Sequence, residues 1–324
     1  MKKEILVFVL FWLALQISSK GQDPQFTQAY FNPLYLAPSF AGSEESLRAS
    51  MNYRNQWPAM SGNISTTTMG LDMNISSFNS GLGLLIMDDR IGTVEYAHRN
   101  VGLLYAYNIT LSRKFNFRPG LGIYYGMRSM DPTKMVFSSE LYEGGNLTES
   151  IEIENQDYID ASASGLFYSD DFWVGFTADH LTQPNVGLTY SENKLPVKLS
   201  FFGGYKFKIN QVSYMNRNES INLAFLYKQQ SHSQQFDVGA YWKKSPFIVG
   251  VWYRDLPFLD DLQNQDAVSL LGGYSFNNLR VAYSYDITIS KLRSVSGGAH
   301  EMSLIYKFNF PPRDKIRAIP CPNF

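Results

Sequence analysis

LRASMNYRNQW, residues 47–57, decides the fold. Leu47, Ala49, Met51, Tyr53 and Trp57 fall on one face of an extended chain, and Arg48, Ser50, Asn52, Arg54 and Gln56 fall on the other. Successive side chains of a strand point to opposite sides, so this period-2 pattern is a strand with one apolar and one polar face. The pattern recurs at 66–75, where Met69, Leu71, Met73 and Ile75 oppose Thr68, Gly70, Asp72 and Asn74. It returns at 197–208 (Val197, Leu199, Phe201, Tyr205, Phe207 against Lys198, Ser200, Gly204, Lys206, Lys208) and at 279–288 (Leu279, Val281, Tyr283, Tyr285, Ile287 against Arg280, Ala282, Ser284, Asp286, Thr288).

Fourteen such stretches are expected, near 46–57, 65–76, 80–89, 99–112, 115–128, 157–169, 171–180, 196–208, 220–229, 235–244, 246–254, 266–276, 278–288 and 299–310. Many carry an apolar face of about five residues, enough to cross a hydrocarbon band roughly 25 Å tall on a tilted strand. The connections alternate in length. Short turns follow the even stretches (Ser77-Phe78-Asn79, Arg113-Lys114, Asp170, Ser245, Asn277), with a longer one at 209–219. Longer connections follow the odd stretches, near 58–64, 90–98, 129–156, 181–195, 230–234, 255–265 and 289–298. This asymmetry and the even strand count predict an all-β, transmembrane outer-membrane β-barrel of about 14 antiparallel strands, with its short turns in the periplasm. Closure leaves no strand edge, so every backbone group finds a partner inside lipid.

The composition fits that reading. Of 324 residues, 28 are Lys or Arg and 29 are Asp or Glu, a formal net charge of −1. Charged residues make up 18% of the chain, below the roughly 25% of soluble domains. The 5 Trp, 21 Tyr and 23 Phe are expected on the outer face, towards lipid and its two interfaces. The near-neutral charge gives no footprint for nucleic acid, and the single cysteine, Cys321, excludes a disulfide framework within the chain. No apolar run of about 20 residues follows the N-terminus, so this is not a helical membrane protein.

The predicted organisation has four parts. Residues 1–21 read as a signal peptide: Lys2 and Lys3 precede the apolar run Ile5 to Leu15, and Ser19 and Gly21 are small residues before a cut at Gln22. Residues 22–45 hold three prolines and five aromatics. That is too much proline for a central strand and too many aromatics for a plain linker, so a plug packed into the periplasmic mouth is expected. Residues 46–310 form the barrel, and 311–324 a periplasmic tail. The predicted polar face carries both charge signs (Arg48, Arg54, Asp72, Lys198, Lys228, Asp237, Arg254, Arg280, Asp286, Glu301 and Lys307 among them). Buried charges must be paired, so ion pairs bracing a narrow lumen are expected.

Catalytic signatures are weak. Gly120, Gly122 and Gly126 sit in an alternating strand with no following helix, which suits relief of crowding better than a phosphate loop. His98, His180, His232 and His300 lack metal-ligand spacing. Asp179 and His180 could suggest a hydrolase at the outer rim, but neighbours on a strand face opposite ways. The chain is therefore read as no enzyme, with no cofactor and no metal.

Several segments resemble the PorP/SprF family of Bacteroidota outer-membrane proteins: QDPQFTQAYFNPLYLAPSFAG (22–42), YRNQWP (53–58), GLGLLIMDDRIG (81–92), YAYNITLSRKFNFRPGLGIYYG (105–126), NLRVAYSYDITISKLRSVSGGAHEMSLIYKF (278–308) and RAIPCPNF (317–324). The resemblance implies an accessory component of the type IX secretion system, which helps secrete or anchor a cargo such as a large adhesin, gliding adhesins included. The implied partners are the cargo's C-terminal sorting domain and translocon components, in a surround of outer-membrane lipid. Candidate partner-binding residues are Ser290, Lys291, Leu292, Arg293, Ser294 and His300 at one long loop, and Phe31, Asn32, Pro33 and Tyr35 in the N-terminal segment. The alternative reading is a channel or transporter for small or apolar solutes, because fourteen strands can enclose an open lumen.

Overall fold

A computed structural model describes residues 23–60, 62–135, 153–189, 192–212, 217–254, 267–289 and 297–308. Its strands are β1 (Leu47–Gln56), β2 (Ile64–Ile75), β3 (Ser80–Ile91), β4 (Tyr96–Tyr107), β5 (Ile109–Thr110), β6 (Asn116–Ser129), β7 (Gln156–Tyr168) and β8 (Phe172–Asp179). The second half of the wall holds β9 (Lys198–Val212), β10 (Arg217–Gln230), β11 (Ser233–Lys244), β12 (Phe247–Arg254), β13 (Ala267–Phe276), β14 (Leu279–Thr288) and β15 (Ala299–Phe308). Each of the fourteen alternating stretches corresponds to one wall strand, except that 99–112 is divided. There β4 stops at Asn108, whose N–H donates to Asn79 O at 2.7 Å, and the two-residue β5 then rejoins β6.

All pairings are antiparallel. β1 meets β15 in register from Leu47↔Phe308 to Gln56↔Ala299. β4 meets β6 from Ala97↔Ser129 to Ala106↔Gly120. Those two seams complete the ring, giving a closed 14-strand antiparallel barrel. No helix among the described residues is long and apolar enough to cross a membrane; the strands cross instead.

The alternation of 47–57 has the inverted sense that a bilayer demands. On β1, Met51 and Tyr53 are exposed on the outer face, while Ser50, Asn52 and Arg54 are buried inside. The outer face continues with Met69, Leu71, Leu103, Leu121, Ile123, Phe201 and Leu270. Two connections differ from expectation. The turn at 209–219 is largely strand, since backbone pairing runs out to Arg217↔Val212 past the apolar face. The loop at 230–234 shrinks to Ser231 and His232, because Gln230 pairs with Ser233. Ladder hydrogen bonds need no apolar side chain, so hydropathy cannot mark where they stop.

The wall is also shaped by what lies inside it. A Cβ built on Gly120 would lie 2.3 Å from Ser39 N, and one on Gly81 would lie 2.0 Å from Ala41 O. These two glycines let the backbone of the N-terminal segment press against the barrel wall, the close approach for which glycine is suited. Gly120→Val should therefore unseat residues 38–41, at a cost of about 1–3 kcal/mol, while the lipid-facing wall stays intact. Limited proteolysis should then cut the N-terminal segment sooner, with heat-modifiable migration unchanged.

Candidate functional site: the filled lumen

Residues 23–44 lie inside the barrel. Three short helical turns, Ala29–Phe31, Pro33–Leu36 and Pro38–Phe40, keep the segment compact. Pro33 and Pro38 each open a turn, where the missing N–H costs nothing and the fixed φ suits helix entry. The expectation placed this segment at one mouth. It extends instead through the lumen, from Glu44 beside the start of β1 to Asp23 beside the ends of β8 and β10, near the long loops.

At the short-turn end, Arg48 holds Asp72 with two contacts, Nε–Oδ1 at 2.8 Å and Nη2–Oδ2 at 3.0 Å. The same Asp72 accepts from Gly42 N at 2.8 Å. Arg118 donates to Ser39 O at 3.2 Å and to Ala41 O at 2.6 Å. Lys307 pairs with Glu44 at 2.8 Å. Burial alone would raise the Glu44 pKa, but the charges of Lys307 and Arg48 hold it below the usual range.

The middle of the lumen is an aromatic core. Tyr30, Phe31, Phe40, Trp173, Phe202, Tyr241 and Trp252 are all buried together. Tyr30 packs against Trp173 at 6.1 Å and Trp252 at 5.9 Å, and its hydroxyl lies within reach of Phe225 O at 2.9 Å and Gly203 O at 3.1 Å. The expectation that aromatics lie on the outside is corrected here. A share of them fills the interior, because a fourteen-strand ring is too wide for wall side chains alone to fill.

Above this core sits a buried charge cluster. Arg54 pairs with Asp286 at 2.8 Å and Glu301 at 3.1 Å, and Arg254 pairs with Asp286 at 3.3 Å. The N-terminal segment completes it. Thr27 N and Gln28 N donate to the two Glu301 oxygens at 2.8 and 3.0 Å, and Thr27 Oγ1 bonds Asp286 while accepting from both arginines. The expected internal ion pairs are present, but they grip a segment from elsewhere in the chain as well as each other.

At the long-loop end, His180 Nδ1 meets Asp160 at 2.5 Å and His180 Nε2 meets Asp23 at 2.7 Å. Lys198 bridges Asp23 at 2.9 Å and Asp179 at 3.1 Å. The expectation that Asp179 and His180 face opposite ways is overturned. β8 ends at Asp179, and His180 turns at φ 60°, so both join one cluster. With a carboxylate on each ring nitrogen, His180 has none left to activate a nucleophile. Burial alone would lower the His180 pKa, but the carboxylates of Asp23 and Asp160 override it and lift the pKa to about 9. Asp23 is held well below the usual carboxylate range despite its burial, by His180 and Lys198.

The candidate partner-binding residues separate. Phe31, Asn32 and Pro33 are buried in the lumen and Tyr35 is nearly so. Asn32 Nδ2 donates to Thr68 Oγ1 at 2.8 Å, and Tyr35 Oη donates to Pro24 O at 2.5 Å. These four residues seat the segment against the wall and against itself. His300 lies on the outer face, with Nδ1 2.7 Å from Tyr283 Oη and its ring 4.9 Å from Tyr285. Ser290, Lys291, Leu292, Arg293 and Ser294 lie outside the described residues. Sequence reasoning missed Asp23, Thr27 and Gln28, the polar contacts of the segment. The available signal was their presence in a stretch otherwise rich in aromatics and proline.

Two outcomes follow from these clusters. Glu301→Ala leaves Arg54 and two segment N–H groups short of a partner, and should destabilise the folded barrel by about 3–5 kcal/mol in urea titrations in detergent. His180 is protonated when folded up to a pKa of about 9 and in the unfolded chain only up to about 6.5. Its contribution is therefore complete below the lower value and is lost as pH rises through the upper one. Asp23 stays ionised across that window. The melting temperature should fall between those pH values, by the equivalent of about 3 kcal/mol, and His180→Gln should flatten the fall.

Among solved structures, the barrel is similar to Acinetobacter baumannii Omp33, at 7% identity over 82% of this chain and 100% of that one, with a TM-score of 0.45. It is also similar to the monoaromatic hydrocarbon channel CymD, at 13% identity over 88% and 94% with a TM-score of 0.46. A deletion mutant of the monoaromatic hydrocarbon channel TodX follows, at 10% identity over 89% and 95% with a TM-score of 0.48. No curated protein sequence matches. The profile of the type IX secretion system membrane proteins PorP/SprF matches residues 18–306. A chain that carries that match across almost its whole length, folded as a closed outer-membrane β-barrel, belongs to the PorP/SprF family.

Proposed function

We propose that this barrel serves the type IX secretion system as a docking body. It binds the C-terminal sorting domain of a secreted cargo, translocon components, or both, and holds the cargo at the cell surface. Family membership supports a role in this secretion system. The observation that carries the docking reading is the filled lumen. Contacts from Asp23 to Glu44 tie one segment to strands on several sides of the wall, and aromatic packing closes the centre. A channel for small or apolar solutes would need that packing displaced, so the filled interior favours a body that presents surfaces over one that conducts. The docking surface belongs at the long-loop end, where the connection from β14 to β15 contains residues 290–294 and His300 is the second residue of β15. The outer apolar face contacts lipid.

Affinity capture of the tagged barrel from membranes, followed by mass spectrometry, tests this. A large secreted protein with a C-terminal sorting domain, or a translocon subunit, should co-purify and be lost when residues 290–294 are replaced by Gly-Ser. Capture of neither class from wild-type membranes would refute the docking role.

A further inference from the structure

Near the long loops, most basic side chains of the wall point into the lumen, where carboxylates hold Arg54, Lys198 and Arg254. Two point the other way. Arg90 on β3 and Arg99 on β4 stand on the lipid-facing side, with side chains 55% and 51% exposed. Among the described strand residues, no other Lys or Arg faces lipid at that end.

Backbone register fixes their depth. Leu84↔Leu103 and Ile86↔Val101 are successive rungs of the outer apolar face. Asp88↔Arg99 is the next rung, and Arg90 lies one step beyond it. Each step is two residues, about 7 Å along the strand. Tyrosines flank the pair on both sides. Tyr53 is in register with Asp88 through Thr67, and Tyr125 stands opposite Val101, both exposed on the outer face. Outward tyrosines mark the membrane interface, where a charge on the lipid face costs little. The two guanidinium groups therefore lie at headgroup depth, at the end that outer-membrane barrels turn to the cell exterior.

The charge at this place is unbalanced. Asp88 takes both arginines through Nε, Arg90 at 2.8 Å and Arg99 at 3.1 Å. One carboxylate serves two cations, and these contacts leave the terminal nitrogens of both arginines unused. The nearest outward acid on the other side, Asp157, is in register with Arg99 through Met127, across the width of β6. It accepts from Tyr125 Oη at 2.7 Å. Two guanidinium forks with free terminal N–H groups suit the oxygens of a phosphate.

We propose that Arg90 and Arg99 bind the phosphate of a phosphorylated glycolipid of the outer leaflet, an anchor of the lipid A type. The Nη groups of both arginines take the phosphate oxygens, and Asp88 orients the two guanidinium groups through their Nε atoms. The acyl chains lie along Leu84, Ile86, Val101 and Leu103. This site lies on β3 and β4, apart from the docking loop between β14 and β15, and either can fail without the other.

Native mass spectrometry of the full barrel released from detergent tests it, with monophosphoryl lipid A as the probe. The same lipid stripped of its phosphate, phosphatidylglycerol and inorganic phosphate are the comparisons. Lipid A should bind saturably, with the phosphate-free form about tenfold weaker, the size of one charge-assisted hydrogen bond. Arg90→Gln combined with Arg99→Gln should lose at least about tenfold. Lys244→Gln, which removes an exposed cation over the Trp242 ring at the short-turn end, should bind as wild type does. A phosphate-free lipid that binds equally, a folded double variant that binds unchanged, or an equal loss in Lys244→Gln would each overturn the proposal. So would phosphatidylglycerol that binds as tightly, or displacement of lipid A by an equal concentration of inorganic phosphate. The comparison of lipid A with its phosphate-free form on wild type decides the matter even if the double variant fails to fold.

Discussion

Each strand of this barrel turns a polar side chain inward at every second residue, and an interior that is packed leaves each of those groups in need of a partner. Arg54 is the clearest case. It is 2% exposed in the middle of a wall, where an unpaired guanidinium would be prohibitively costly. Glu301 on the adjacent strand β15 and Asp286 on β14, one strand further round, supply the counter-charges. Their remaining oxygens are satisfied by Thr27 and Gln28 from a segment some 20 residues before the first strand. The wall and the segment inside it are thus one hydrogen-bonding system, and neither is complete without the other.

That dependence organises the molecule along its axis. Near the short turns, Arg48, Arg118 and Lys307 fix residues 39–44. In the middle, Trp173, Phe202, Tyr241 and Trp252 form a hydrophobic core with Tyr30, Phe31 and Phe40, as in a soluble domain. Towards the long loops, Lys198 and His180 fix Asp23. A barrel of fourteen strands that would otherwise enclose water is made solid by about twenty residues. That solidity suits the docking role proposed above.

Much of the wall was legible from residue order. Period-2 alternation over short stretches needs only local information, and it placed one strand at each expected position, Arg48 and Arg54 on the inner face included. Features set by backbone pairing were not legible. The break at Asn108 and the continuation of β9 to Val212 depend on which carbonyl lies opposite each N–H. Adjacent residues Asp179 and His180 illustrate the same limit. Strand geometry sends neighbours to opposite faces, but the strand ends between them, and the positive φ at His180 returns its ring to the cluster.

The sequence by itself determined an inverted, closed β-wall, because lipid outside and paired polar groups inside leave a strand of alternating residues no other arrangement. It also marked residues 22–45 as something other than wall or linker. Only the tertiary structure decided that this segment runs the length of the lumen and that buried aromatics share the interior with charges. Those outcomes depend on contacts between residues more than 150 positions apart, such as Thr27 with Asp286 and Asp23 with Lys198. Their partners are chosen by the diameter of the closed ring, a quantity that no local stretch of sequence contains.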